Sequence, residues 1–436
     1  MPEEIEKSTK IDRVRHTKRI RNLIVICTLS AIVLIVATYA WFIGMQSVNV
    51  SSFEIEIAAA DSLKLSLNGE DWSDTITFDK DNITDGKNSL AYVGNTNKWP
   101  SRGLFPVSSI GDMDSIASRM KLFEKASLTT TPGGYRLLAS RVRNYIKDTT
   151  TSELAPEQDG YVAFDLFVKN FSGTQYIEDL NPLDEEAIYL TIDSAVDVAL
   201  GGSSPGISFT GIENSVRVAF AQIGRVSGFN NTAKVITDIT CSNTTDKPGL
   251  AKPEDYVTGI CRTAQIWEPN DSKHVMSATN WYQTSCKPRV PTGEDVTKEE
   301  SFDLSPTAKC NAIVDGISYP TYAISDDIKS IHNVDVYDGP MYNSYAPNIE
   351  HGKLVAYPYF RDTDKVKKGT QRPTFMTLSP NSITKIRIYV YIEGQDIDNY
   401  DFASVGKKIA VKFGFTKERL TTDDIDYNGP PLTPTL

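Results

Sequence analysis

The chain has 436 residues, of which 40% are hydrophobic, and its 45 Lys and Arg against 56 Asp and Glu give a net charge of −11. Nucleic-acid binding depends on clustered Lys and Arg that displace counterions from phosphates, and no such cluster follows Arg21. The composition therefore argues against a nucleic-acid partner and predicts an acidic outer surface.

Residues 23–45 form an uncharged and mostly apolar segment. Its length exceeds the roughly 20 residues that a helix needs to cross a bilayer. Residues 1–22 precede it as a basic segment, and the positive-inside rule keeps such a segment in the cytoplasm and exports the chain beyond the apolar segment. The sequence therefore predicts a membrane partner, contacted through residues 23–45, and a single-pass protein whose C-terminal part lies at the cell surface.

The end of this segment supports a second interpretation, in which it is a cleavable signal helix. Thr38 and Ala40 flank Tyr39, which is a small-x-small arrangement that signal peptidases accept, and Trp41 follows directly. A cut between Ala40 and Trp41 predicts a secreted protein of the extracellular matrix. Tyr39 and Trp41 equally suit the aromatic belt of a retained anchor, and the length of the apolar run favours retention.

Beyond the membrane segment, alternating apolar residues predict β-strands. The first alternation lies at residues 53–57, and a hairpin at residues 63–72 comes next, in which Asn68 and Gly69 predict a type I′ turn. Further runs predict half-buried antiparallel strands at residues 161–170, 187–192, 215–223, 385–394 and 407–415. The best candidates for amphipathic helices lie at residues 117–126 and 139–146.

These patterns predict a mainly β protein, a jelly-roll-like antiparallel β-sandwich, with one transmembrane or signal helix before it. A long insertion, rich in Asn, Thr, Pro and Cys, interrupts the sandwich. In the predicted domain order, the sandwich ectodomain comprises residues 46–223 and 346–416, the cysteine-containing insertion comprises residues 224–345, and a flexible tail comprises residues 417–436.

Four cysteines lie beyond the membrane segment, whereas Cys27 lies within it. Cys241, Cys261, Cys286 and Cys310 form an even set on the exported side, where the compartment is oxidising, and this predicts two disulfides. Short loops favour sequential pairing, Cys241 with Cys261 and Cys286 with Cys310. The alternative is a Cys₄ zinc site, but the spacings lack the C-x₂₋₄-C pairs that are typical of structural zinc.

Histidine is scarce, and His16, His274, His332 and His351 are scattered. The chain has no H-E-x-x-H pair, no G-x-S-x-G elbow and no Walker loop. We therefore predict that the protein is not an enzyme and that it has no catalytic residues, cofactor or metal site.

Clusters of acidic residues at 79–86, 362–365 and 393–401 leave two alternatives open. Residues 79–86 begin like a calcium-binding EF-hand loop, but Thr84 stands where that loop needs Gly and Leu90 where it needs Glu. Paired carboxylates for glycoside hydrolysis depend on a separation in space that sequence does not give.

Several segments resemble one family of exported proteins. The junction Thr38-Tyr39-Ala40-Trp41-Phe42, the hairpin at 63–72, the run VAFDLFVKN ending at Asn170, and the two final strand patterns resemble TasA/camelysin-type proteins, whose signal peptides are cut by a SipW-type peptidase. The resemblance implies a jelly-roll subunit of extracellular fibres, biofilm matrix or pilus-like filaments. It also implies self-association by strand exchange, in which one subunit's N-terminal strand completes the next subunit's sheet.

Three classes of function remain, in decreasing order of support. The first is a non-catalytic extracellular structural protein, anchored at the surface or assembled into fibres. The second is a surface adhesin for a glycan or a host protein, for which Trp267, Trp281 and Tyr282 offer a stacking face, although the favoured prediction for each Trp is a position in the core. The third is an exported hydrolase.

Overall fold

The computed structural model divides the chain into two compact units, Met1–Ser47 and Val48–Leu436. In the first unit the described residues, Arg21, Val25 and Thr28, are helical. In the second unit the structure describes residues 54–59, 62–78, 103–104, 106–126, 136–138, 146–148, 153–154, 157, 160–173, 175–199, 210–229, 232–244, 256–285, 322–324, 328–331, 334–337, 354–356, 358–394, 396–399 and 408–419.

Strands dominate the second unit, as the alternating patterns predict. Their bounds are β1 Glu54–Ala59, β2 Leu63–Ser66, β3 Thr75–Phe78, β4 Pro106–Ser108, β5 Met113–Asp114, β6 Arg119–Met120, β7 Phe123–Ala126, β8 Arg136–Leu138, β9 Ile146–Asp148, β10 Glu153–Leu154, β11 Val162–Asn170, β12 Glu186–Leu190, β13 Ala195–Val198, β14 Val216–Ser227, β15 Thr258–Gly259, β16 Gln265–Glu268, β17 Tyr322–Ile324, β18 Ile328–Ile331, β19 Val334–Tyr337, β20 Leu354–Ala356, β21 Phe360–Arg361, β22 Met376–Leu378, β23 Ser382–Glu393 and β24 Ile409–Thr416. The helices are α1 Ala233–Thr237, α2 Met276–Ser285 and α3 Asp362–Lys365, with 3₁₀ turns at Ile212–Ser215 and Gly369–Gln371.

The larger sheet is built around β23, which pairs antiparallel with β14 on one side and with β11 on the other. β2 extends the sheet beyond β11, and β16 and β21 extend it beyond β14. β4 pairs parallel with the end of β23 and leads on to β7, β8, β19 and β18. A register shift between Gln222 and Gly224 places a β-bulge in β14.

The smaller sheet has the order β22-β12-β24-β1-β3, with β13 also paired to β24. β1 runs parallel to β24, as β4 does to β23 and β21 does to β16. The prediction of purely antiparallel sheets is therefore wrong, and both sheets are mixed. Alternation reports which face of a strand is buried, but it carries no information about the direction of the neighbouring strand.

The two sheets face each other across an inner core in a sandwich-like arrangement. Phe220 of β14 reaches from the larger sheet, and its ring centre lies 5.1 Å from Phe413 and 5.8 Å from Phe415 of β24. A third ring, Phe375, lies 4.9 Å from Phe220. These edge-on contacts, together with Ile55 and Ile57 of β1, close the core between the sheets.

The outer face of the larger sheet is covered as well. A second core contains Tyr161, Phe167, Tyr389 and other residues that alternate with those of the inner core. The segment 106–122, helix α1 and the segment 256–264 lie over it, as shown by the hydrogen bond from Met120 N to Tyr389 Oη. The central strands are thus buried on both faces, rather than half-buried as predicted.

Two local predictions fail. The predicted helix at 117–126 contains the strands β6 and β7, because those residues pair within sheets instead of forming a helix. At the predicted type I′ turn, Gly69 has φ +76° but Asn68 does not have positive φ. The Asn68 side chain instead accepts hydrogen bonds from Glu70 N and Asp71 N, so the turn is held by an Asx-type cap.

The structure does not separate the predicted insertion from the sandwich at residue 224. That position lies inside β14, which continues to Ser227. β15 and β16, which belong to the predicted insertion, pair directly with β14. The described part of residues 224–345 therefore includes strands of the larger sheet.

Candidate functional site

Buried charges gather around Arg217, a residue of β14 that points to the outer face. Its Nη2 lies 2.6 Å from both Glu268 Oε1 and Asp396 Oδ2. Burial opposes the positive charge, but the carboxylates of Glu268 and Asp396 outweigh this effect and raise the pKa of Arg217. This cluster ties the loop after β23 to the sheet.

The loop after β23 also contains Asp398, which pairs with His274 from the segment before α2. His274 Nδ1 lies 2.8 Å from Asp398 Oδ2, and Val275 N donates to Asp398 Oδ1 at 3.3 Å. Burial raises the pKa of Asp398 to about 6, although the hydrogen bond from His274 acts in the opposite direction. The Ser215 hydroxyl lies 3.4 Å from Asp396, so the serine of this region contacts a carboxylate.

Two further clusters of buried ions bind the layers together. On the outer face, Asp165 is fully buried and contacts Arg387 at 2.7 Å and Lys385 at 3.2 Å. Toward the smaller sheet, Glu185 contacts Arg225 at 2.6 Å and Arg262 at 2.8 Å. In each cluster the carboxylate comes from a different strand or loop than the basic groups, which is the geometry of structural ion pairs.

The N-terminal strand β1 occupies an interior position in the smaller sheet. It lies between β24 and β3, in continuous parallel register with β24 from Glu54 opposite Ala410 to Ala59 opposite Phe415. Ile55 is fully buried, as is Ile57. β2, which starts four residues after β1 ends, belongs to the larger sheet, so a very short connection joins β1 to the rest of the chain.

β3 is the edge strand next to β1. Thr75 and Thr77 are exposed and Ile76 is buried. Ala59 N donates to Asp74 O at 2.8 Å, and this register turns the backbone groups of Thr75 and Thr77 away from β1. Among the described strands, β3 pairs with β1 alone.

A surface pocket of about 280 Å³ lies where β11 and β14 end and β23 begins. Phe171 and Phe229 are among its lining residues and are 48% and 49% exposed. Gly228 N donates to Asn381 O at 2.5 Å, and a Cβ at Gly228 would lie 2.8 Å from that oxygen, so this position requires glycine. Its lining consists of Lys169, Asn170, Phe171, Gly228, Phe229 and Asn381.

Lys169 supplies the positive charge of this pocket. Its Nζ lies 4.9 Å from the ring centre of Phe171 and 5.6 Å from that of Trp72. Within the described part of the chain it forms no ion pair with a carboxylate. Burial lowers the pKa of Lys169.

The predicted disulfide between Cys241 and Cys261 is confirmed, with Cα atoms 5.3 Å apart. It joins the segment after α1 to the loop after β15, on the outer face. Cys286 and Cys310 lie outside the described residues, as do the predicted cleavage positions Ala40 and Trp41.

Most of the predicted membrane segment, residues 23–45, also lies outside the described residues. The helices that the structure describes are too short or too polar to traverse a bilayer. A group of three or more potential metal ligands is likewise absent from the described regions.

Trp267 lies in the core, which is the favoured prediction for each Trp, and the alternative of an exposed glycan-stacking face does not hold for it. This side chain is fully buried in the inner core, where its Nε1 donates to Asp362 Oδ1 at 2.8 Å. The side chains of Trp281 and Tyr282 lie outside the described set. The acidic run at 362–365 forms α3, whereas the calcium-like run at 79–86 is not among the described residues.

Sequence reasoning missed the pocket and the ion clusters. Phe171 comes directly after one predicted strand and Phe229 comes six residues after another, so both look like ordinary loop residues in a linear sequence. The buried acids and bases are far apart in the chain, as Asp165 and Arg387 are, so spacing gives no signal. Comparison with protein-family models, curated proteins and solved structures produced no match to the chain.

Proposed function

We propose that the chain is a non-catalytic extracellular structural protein that associates by exchanging its N-terminal strand between copies. In this proposal the sandwich is jelly-roll-like and comes after a membrane or signal helix at residues 23–45. Retention of that helix gives a surface-anchored protein, and a cut after Ala40 gives matrix fibres. The Cys241–Cys261 disulfide supports an oxidising, exported location.

The position of β1 is the observation that carries this proposal. β1 is an interior strand that depends on β24 and β3 for its pairing, yet it is attached to β2 in the other sheet by a short connection. If β1 moved to a second copy, the same register and the same burial of Ile55 and Ile57 would be restored there. Domain swapping of this kind preserves native contacts and adds a strand to a neighbouring sheet.

A pair of cysteine variants tests the exchange. Glu56 lies opposite Lys412 across β1 and β24, and their charged groups are 3.2 Å apart. Neighbouring strands lie about 4.8 Å apart, which is within the reach of a disulfide. Chains carrying Glu56→Cys are mixed with chains carrying Lys412→Cys, and both are unfolded, refolded together and oxidised. We expect a covalent heterodimer on non-reducing gels.

Asp197→Cys mixed with Ala410→Cys is the matched control. Asp197 of β13 lies opposite Ala410 of β24, and both belong to one subunit whether or not β1 is exchanged. That mixture should give no covalent heterodimer on the non-reducing gel, and the parent chain reports any background from its own cysteines. The proposal fails if the double variant Glu56→Cys/Lys412→Cys crosslinks within one chain while the mixture of single variants yields no heterodimer.

A further inference from the structure

The pocket lined by Phe171 and Phe229 has the chemistry of a ligand site, and it lies at one end of the larger sheet, where Phe171 N donates to Ser62 O in the connection between β1 and β2. Two phenylalanine side chains, each about half exposed, line it together with the polar residues Asn170 and Asn381. Lys169 adds an ammonium group at the same place. From this combination we infer that the pocket binds an acidic sugar residue, a hexuronate within an extracellular polysaccharide.

Charge complementarity favours an anionic ligand. The chain carries a net charge of −11, but Lys169 is held against Phe171 and Trp72 without a carboxylate partner among the described residues. Nearby Lys64 is paired with Asp74, and Lys417 with Glu186, so those two charges are already compensated. A carboxylate entering the pocket would gain a charge-assisted hydrogen bond from Lys169.

The aromatic side chains and the amide groups of the pocket favour an acidic sugar over other anions. A pyranose ring presents C–H groups on its faces and hydroxyls around its edge, so its faces suit Phe171 and Phe229. The Asn381 side chain makes one long hydrogen bond, 3.5 Å to Gln175 O, and retains amide capacity for a hydroxyl. The volume of about 280 Å³ is slightly below the range of drug-sized sites, which matches a single sugar unit rather than a longer ligand.

Calorimetric titration of the full-length chain in mild detergent tests the inference. The probes are trigalacturonic acid and the neutral galactose trisaccharide with the same linkage. We expect the acidic trisaccharide to bind about tenfold more tightly or better, because a hydrogen bond to a charged group discriminates by this amount. Lys169→Gln should remove that preference, whereas Phe171→Ala and Phe229→Ala should weaken binding of both sugars.

Lys234→Gln is the matched control, because Lys234 is an exposed lysine of α1 whose loss changes the net charge equally. Circular dichroism confirms that each variant is folded. Equal affinity for the two sugars, an unchanged preference in Lys169→Gln, or tighter binding of an acetylated Asp-Phe dipeptide than of the acidic sugar would overturn the inference. So would an absence of binding at roughly 10 mM trigalacturonic acid. None of these outcomes depends on strand exchange, which the cysteine mixtures measure separately.

Discussion

The two faces of the larger sheet are equally buried but chemically different. The inner face is built from apolar side chains that meet the smaller sheet, with Phe220 at the centre of a group of rings. The outer face mixes tyrosines and small apolar residues with charged residues such as Asp165 and Arg217. Strand alternation can therefore separate two faces that are both internal, and a polar residue at alternate positions does not imply contact with water.

The two faces of the larger sheet contribute to folding in different ways. Apolar contacts are non-directional and tolerate small adjustments, whereas a buried ion pair is costly unless its geometry is satisfied. The inner face should therefore supply most of the free energy of folding. The outer face should specify how the loops over it are arranged, because Asp165 and its partners fit together in one arrangement.

The largest expected effect lies on the inner face. Phe220→Ala removes a ring that contacts Phe375, Phe413 and Phe415, and it leaves a cavity between the sheets. We expect a loss of about 3–5 kcal/mol in the free energy of unfolding, measured by urea denaturation. Phe220→Leu, which retains most of the apolar volume, should cost clearly less. Similar losses in the two variants would show that the site collapses and that the rings do not act as a unit.

A break in the charge network of the outer face should lower the free energy of unfolding by about 3 kcal/mol. Asp165→Asn keeps the shape of the side chain but leaves Arg387 and Lys385 without their shared carboxylate. The triple variant Asp165→Leu/Lys385→Met/Arg387→Met removes all three charges and should recover most of the loss. If the triple variant is less stable than Asp165→Asn, the charges contribute net stability and the contrast between the faces is wrong.

The smallest effect, about 2–3 kcal/mol in the free energy of unfolding between pH 4 and 7, is a dependence on pH at Asp398. Its pKa is raised from an ordinary 3.8 to about 6, so the folded protein binds this proton more tightly than the unfolded chain does. The stability that the protonated Asp398 contributes is therefore complete below pH 4 and is lost as the pH rises through 6. Asp398→Asn should abolish this slope. Parallel stability curves for the two proteins between pH 4 and 7 would contradict the assignment.

The inner face could be predicted from the sequence, because Val162, Phe164, Leu166 and Val168 alternate and all four reach the inner core. The surroundings of the residues that alternate with them, on the outer face of the same strand, could not be predicted from the sequence. Asp165 and Lys169 look alike in the pattern, yet Asp165 is fully buried under loops and Lys169 lies at the edge of a pocket. Which loops cover a face depends on contacts between residues that are distant in the chain.

The candidate sites are less predictable than the strands. The core position of Trp267 could be predicted from its residue type, but its place in β16, opposite Val218 of β14, could not. Asn170, part of a glycosylation sequon, is buried and donates to Ser379 O. The Cys241–Cys261 pair could be predicted because closure of a short loop is a local property.

The parallel pairing of β1 with β24 also determines how the subunit carries mechanical load. These strands lie near opposite ends of the sequence, so tension applied to the chain before Glu54 and after Thr416 pulls neighbouring strands in opposite directions along their length. The hydrogen bonds between them are then loaded in shear and must break together, whereas an antiparallel pair loaded from one end would open one bond at a time. A strand shared between copies would transmit the same resistance from one subunit to the next.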